Sequence, residues 1–241
     1  MNKSILTIAK KEYSAALHNI GTYIVFAIFL LVSGVYFAMT VFKFGVADLR
    51  AVFSLMHTLF LFYIPALSMG SIAKEKSGGT LEFVSTLPIK LYQLIWGKFF
   101  AIMGLLLLAL LYSLVFAIII VIFGRGVDFG ALLSGYLGLI IIGAAYTAIG
   151  VFASGLQANQ TMAFILALAL CGMFYVLQYM IPLLPPALIG VFQFISFDFH
   201  FQNFTKGIVD TRDLIYFGSI IYGFLLLAEF NLKSKNMMQE R

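Results

Sequence analysis

Apolar positions along this chain gather into six long runs, at residues 22–42, 52–73, 97–123, 129–155, 161–181 and 214–232, separated by short polar connections. A helix needs about 20 mostly apolar residues to cross a bilayer, so each run is long enough for one crossing. The pattern predicts an all-α polytopic membrane protein with six transmembrane helices. Residues 1–20 follow a different rhythm. Leu6, Ala9, Tyr13, Ala16, Leu17 and Ile20 share one helical face, while Lys3, Thr7, Lys11, Ser14 and His18 occupy the other. This is the pattern of a helix lying in the headgroup plane, apolar face down and lysines toward anionic lipid. Lys3, Leu6, Lys10, Lys11, Tyr13 and Leu17 are its expected membrane-surface anchor, with Gly21 as the bend into the first span. The chain thus divides into an amphipathic interfacial helix, 1–20, and a six-helix transmembrane domain, 21–241.

Two connections stand apart. The segment 74–98 is a charged island holding Lys74, Glu75, Lys76, Glu82, Lys90 and Lys98. Gly78-Gly79 breaks what precedes, and Thr80 can cap a new helix from Leu81. Pro88 ends that helix early. Leu81, Val84 and Leu87 lie three apart and form an apolar stripe, with Glu82 and Ser85 facing elsewhere. A further helix is expected from about Ile89 into the third span. The result is a brief surface helix suited to touching a partner in the aqueous phase. The second exceptional connection, 182–213, opens on Pro182, Pro185 and Pro186 and then crowds Phe192, Phe194, Phe197, Phe199, Phe201 and Phe204 together. Aromatic rings favour the membrane interface, so it reads as a half-inserted, re-entrant hairpin of short helices, buried in protein or facing a cavity. Phe197, Phe199, His200, Phe201 and Phe204 would form an outer lid or a substrate-facing gate. Gly207 can end the second short helix, and Asp210 or Thr211 can cap the last span.

Composition sharpens this picture. Of all residues 62% are hydrophobic and only 10% charged, and the mean hydropathy is +1.04, which excludes an ordinary soluble domain. With a cytoplasmic N-terminus, 10 of the 15 Lys and Arg residues fall inside and 5 outside. The net charge of +5 therefore follows the positive-inside rule and is no sign of nucleic-acid binding. Cys171 is the single cysteine, so neither an intrachain disulfide nor a cysteine metal cluster can form. In the fourth span Gly143, Thr147, Gly150 and Ser154 make a small-residue face for helix packing or for a dimer contact. Glu229, one turn before Lys233, is expected to form a structural ion pair. His57 in the second span is expected to donate to a backbone carbonyl rather than bind metal. No P-loop, H-E-x-x-H or G-x-S-x-G motif occurs, so neither ATP binding through a P-loop nor the commonest hydrolytic chemistry is encoded.

Glu75, Gly79-Thr80-Leu81-Glu82, Leu87-Pro88, Lys90 and Gly97-Lys98 follow a known pattern: an acidic residue, GTLE, a Pro-terminated helix, and GK opening the third span. In these residues the chain resembles the permease subunits of ABC-2-type ATP-binding-cassette transporters. The stretch His200-Phe201-x-x-Phe204-x-x-Gly207-x-x-Asp210 resembles the subgroup of gliding-motility permeases and copper-related nitrous-oxide-reductase maturation permeases. The resemblance implies that 74–98 is a coupling segment, with Glu75, Thr80, Leu81, Glu82, Val84, Leu87 and Pro88 docking a separate cytoplasmic ATPase. It implies that 1–20 is the connecting helix and 182–213 the outer re-entrant hairpin. Two permease chains would line the path above two ATPase subunits, which would hold ATP and Mg, with no cofactor in this chain and no catalytic residue. The expected setting is the bacterial inner membrane, both termini cytoplasmic, and the expected role is export. An ion- or proton-driven carrier and a non-transporting scaffold for a cytoplasmic partner are the competing functions.

Overall fold

The computed structural model describes residues 3–43, 48–80, 90–124 and 126–239. The described residues build an all-helical chain. Its elements are α1 (Lys3–Leu17), α2 (Ile20–Ala38, continued by a π turn), α3 (Arg50–Ser68), α4 (Ala73–Ser77), α5 (Leu91–Phe123), α6 (Phe129–Leu156), α7 (Gln160–Met180), α8 (Pro186–Ile195), α9 (Phe197–Thr205) and α10 (Thr211–Gln239). Six helical stretches among them are long and apolar enough to cross a membrane: Ile20–Val41, Arg50–Ser77, Leu91–Phe123, Phe129–Leu156, Gln160–Leu183 and Thr211–Ser234.

Side-chain caps start several of these helices, because the first turn of a helix leaves backbone N–H groups without partners. Asn19 Oδ1 accepts from Gly21 N, Asp128 Oδ1 from Ala131 N, Asn159 Oδ1 from Thr161 N and Asp210 Oδ1 from Arg212 N. Asp210 is thus the cap expected before the last span. Gly207, at φ +89°, takes the left-handed conformation that ends α9 without a Cβ penalty.

The centre of the bundle is α6, with 78% of its span buried, against 17% for the first span and 11% for the fifth. Glycines admit its neighbours. A Cβ at Gly138 would stand 2.6 Å from Phe204 Cβ, and one at Gly143 or Gly150 would overlap Leu106 or Ser68. Gly143, Thr147, Gly150 and Ser154 are all buried within the chain, so the small-residue face packs the bundle itself and is not open to a second copy.

The third span begins earlier than its apolar run. At 33 residues, α5 is about 50 Å long and outreaches a hydrocarbon core of about 30 Å. Its first turns meet α1, which lies along them: a Cβ at Gly97 would come within 2.6 Å of Ile8 Cγ2, and one at Gly104 within 3.0 Å of the Tyr13 ring. The inward face of α1 is therefore Ile5, Ile8, Ala9, Glu12, Tyr13 and Ala16, each partly covered. Tyr13 packs on protein as well as serving any lipid anchor. Leu6 points away and is exposed, as are Lys3, Lys10 and Lys11.

Candidate functional site

Where α1, α4 and α5 meet, Lys98 is 1% exposed. A buried ammonium is costly unless paired. Lys98 Nζ donates to Glu75 Oε1 at 2.7 Å and to Glu12 Oε1 at 3.4 Å, so three helices far apart in sequence share one charge cluster. The family resemblance implies a role for Glu75 in ATPase docking. Its carboxylate instead turns inward to Lys98, and its second oxygen is buried without a hydrogen-bond partner. It secures the segment from within rather than presenting a charge to water.

The five residues of α4 are held from a second side by the end of α6. Ser154 Oγ accepts from Ile72 N and Ala73 N, both at 3.0 Å, and donates to Met69 O at 2.9 Å. It thereby satisfies two donors at the start of α4. Lys76 Nζ donates to Gly155 O, placing a cation at the C-terminal end of α6 where the helix dipole favours one. Beyond α4 the chain turns at Gly79, φ +68°, and Thr80 Oγ1 donates back to Glu75 O at 3.2 Å. Leu81, Glu82, Val84, Leu87 and Pro88 lie outside the described residues. On the far flank Lys90 N donates to Gln93 Oε1 at 3.1 Å and caps α5. Both flanks of the 81–89 segment are thus fastened to long helices.

The opposite end carries a separate polar system. His57, fully buried on α3, shares a hydrogen bond of 2.9 Å with Tyr146 OH and has Nδ1 3.4 Å from Asp198 Oδ1 on α9, without hydrogen-bonding geometry. Gln202 Nε2 donates to Asp198 Oδ2 at 2.7 Å. The expectation of a backbone partner for His57 is therefore corrected: its neighbours are side chains, brought by α6 and α9. His200 faces Asp213 Oδ1 through Nδ1 at 2.6 Å and Phe194 O through Nε2 at 2.9 Å, and stacks on Tyr216 at 4.1 Å between centroids. Phe197, Phe201 and Phe204 form the buried face of α9, while Phe199 is exposed. Ser134 Oγ donates to Phe204 O at 2.6 Å. Of the expected gate residues, four are thus packed into the bundle and one faces outward.

The expected Glu229–Lys233 pair is absent among the described residues. Glu229 lies beside Tyr92, Trp96 and Tyr222, and Lys233 is exposed. Glu12 was missed in the sequence, although a carboxylate between Ala9 and Tyr13 on an apolar face was the available signal. A family model described as ABC-2 family transporter protein matches residues 44–230. No curated protein matches the chain.

Proposed function

From a chain that belongs to the ABC-2 family of transporter proteins and has six helices able to span a membrane, we infer an export permease that docks a separate ABC ATPase through residues 81–87. Membership makes it the membrane component of an ABC transporter, and ATP hydrolysis would fall to a partner. The observation that carries the docking assignment is the double fastening of its flanks: Glu75 and Ser154 hold one side, and the capped start of α5 holds the other. A segment pushed by closing ATPases transmits motion only if its supports are stiff, and here the flanks continue into α3 and α5 and are bonded to α6. Leu81, Val84 and Leu87 would fill the ATPase groove, and Glu82 would pair with basic groups at its rim. The hairpin α8–α9 would be the outer, re-entrant element.

Truncating a buried interface anchor costs on the order of 2 kcal/mol. Leu81→Ala with Val84→Ala should therefore reduce co-purification of the ATPase by more than tenfold, while the protein still inserts. Glu82→Lys should weaken docking in a salt-dependent way. Normal ATPase capture by the double variant would refute the assignment. Orientation is checked by cysteines at Gly78 and Asn203: the reading places them on opposite faces, cytoplasmic and external, and labelling of both from one side overturns it.

A proton-driven carrier is the second reading, favoured by one observation: the buried His57–Asp198 approach inside the bundle, since intramembrane ionisable groups mark proton paths. Proton-driven uptake by the purified chain without any ATPase would establish it.

A further inference from the structure

Between α1 and the ends of α2, α3 and α5 lies a cavity of about 280 Å³. Its wall changes character along its length. Glu12, Lys74, Lys98 and Gln160, with Asn19, Thr22 and Ser71, supply its polar wall, and Val25, Leu67 and Leu105 are among its apolar lining. Leu105 lies about 10 Å along the helix from Lys98, so the cavity runs from the charge cluster into the apolar part of the spans. A site with that gradient suits an amphiphile better than a soluble metabolite.

The charges specify the head. Lys98 is occupied by Glu75 at 2.7 Å, whereas Glu12 stands farther off at 3.4 Å with its side chain 30% exposed. It keeps capacity to accept from a ligand. Lys74 is exposed and forms no ion pair with another described residue. Of the two lining lysines Lys98 is taken up by Glu75, which leaves Lys74 as the cation and Glu12 as the carboxylate open to a ligand, a pair that disfavours a purely anionic or purely cationic one. No lining residue is aromatic, so the cage that a quaternary ammonium prefers is missing from this wall. A primary ammonium instead can donate to Glu12 and Gln160. We propose that this cavity binds the headgroup and first acyl carbons of a zwitterionic phospholipid carrying a primary ammonium, its phosphate on Lys74 and its ammonium on Glu12.

The intact purified chain would be equilibrated with vesicles of equal parts phosphatidylethanolamine, phosphatidylglycerol and phosphatidylcholine, and retained lipid counted by native mass spectrometry. Charge-assisted hydrogen bonds of the usual strength predict about tenfold or greater preference for phosphatidylethanolamine over phosphatidylcholine. Lys74→Gln should lower retention of every phospholipid, and Glu12→Gln should abolish only the preference. Because Glu12→Gln also touches the Lys98 cluster, Ala15→Phe provides an independent variant: it fills the cavity from an exposed position of α1 and should displace the lipid. Soluble glycerophosphoethanolamine separates lipid from headgroup, and its failure to compete supports the assignment. Competition at comparable concentration, equal retention of the three lipids, a preference for phosphatidylglycerol, or retention untouched by both Lys74→Gln and Ala15→Phe would each overturn it.

Discussion

Lys98 shows how a single residue can hold elements that the chain order keeps apart. Its ammonium sits between Glu75 and Glu12, whose side chains are 21% and 30% exposed, so the cluster lies at the edge of the protein interior with the cation as its most enclosed member. Lys98→Met would leave two carboxylates confronting each other. Removing one partner from a buried pair typically costs about 3–5 kcal/mol, and the partial exposure here favours the lower end of that range. The expected outcome is a clearly lowered thermal unfolding midpoint for the detergent-solubilised protein. Adding Glu75→Gln should restore part of the loss, since contacting residues do not contribute additively. An unchanged midpoint in Lys98→Met would show that the cluster does not contribute to stability. The lysine itself was legible in the sequence as a charge at the head of the third span. Its partners were not, because residues 12, 75 and 98 meet only through the packing of Ile8 on Gly97 and the placement of α4 by Ser154.

Among the elements, α9 gains its position from a short list of contacts: three phenylalanines facing inward, Ser134 on the Phe204 carbonyl, and His200 fixed between Asp213 and Phe194. Neither an ionised carboxylate nor a carbonyl can give a proton, so with Asp213 ionised His200 satisfies both neighbours only with both nitrogens protonated. Charge-assisted bonds of this kind are roughly twice as strong as neutral ones. Asp213→Asn should therefore loosen α9, accelerating amide exchange across residues 197–205 by about tenfold or more while α6 remains protected. Equal protection in both proteins would mean that the phenylalanine face alone holds the helix. Much of this region could be read in advance: the proline stop, Gly207 and Asp210 obey local rules of turns and caps. The helix expected from about Ile89 into the third span is also found, as α5 from Leu91, whereas periodicity could not reveal the pairing of His200 with Asp213 across a loop. His57 escaped for the same reason, since its surroundings are supplied by α6 and α9.

For the whole molecule, a symmetric pair of chains would have to use the faces that the bundle leaves uncovered. The central α6 is enclosed, but the first and fifth spans keep most of their apolar surface uncovered. Ile28 and Leu31 on α2, and Ile165 and Met173 on α7, are each more than half exposed. Lipid can cover such faces, but Gly172 on α7 has open space where a Cβ would stand, and small residues at a helix surface permit close backbone approach. A permease path formed between two copies would use these faces. Single cysteines at Ile28, Leu31, Ile165 and Met173, in a Cys171→Ala background, test this under mild oxidation in native membranes. Disulfides require Cα atoms within about 7 Å, so only positions in direct contact would link. At least one of the four is expected to give a covalent dimer, whereas a control at Leu111, exposed on α5, should remain monomeric. Gly172→Leu should then reduce the cross-linked fraction severalfold by keeping the helices apart, with insertion unchanged. If none of the four positions links, these faces are covered by lipid or by a different permease, and a symmetric pair built on α2 and α7 is ruled out.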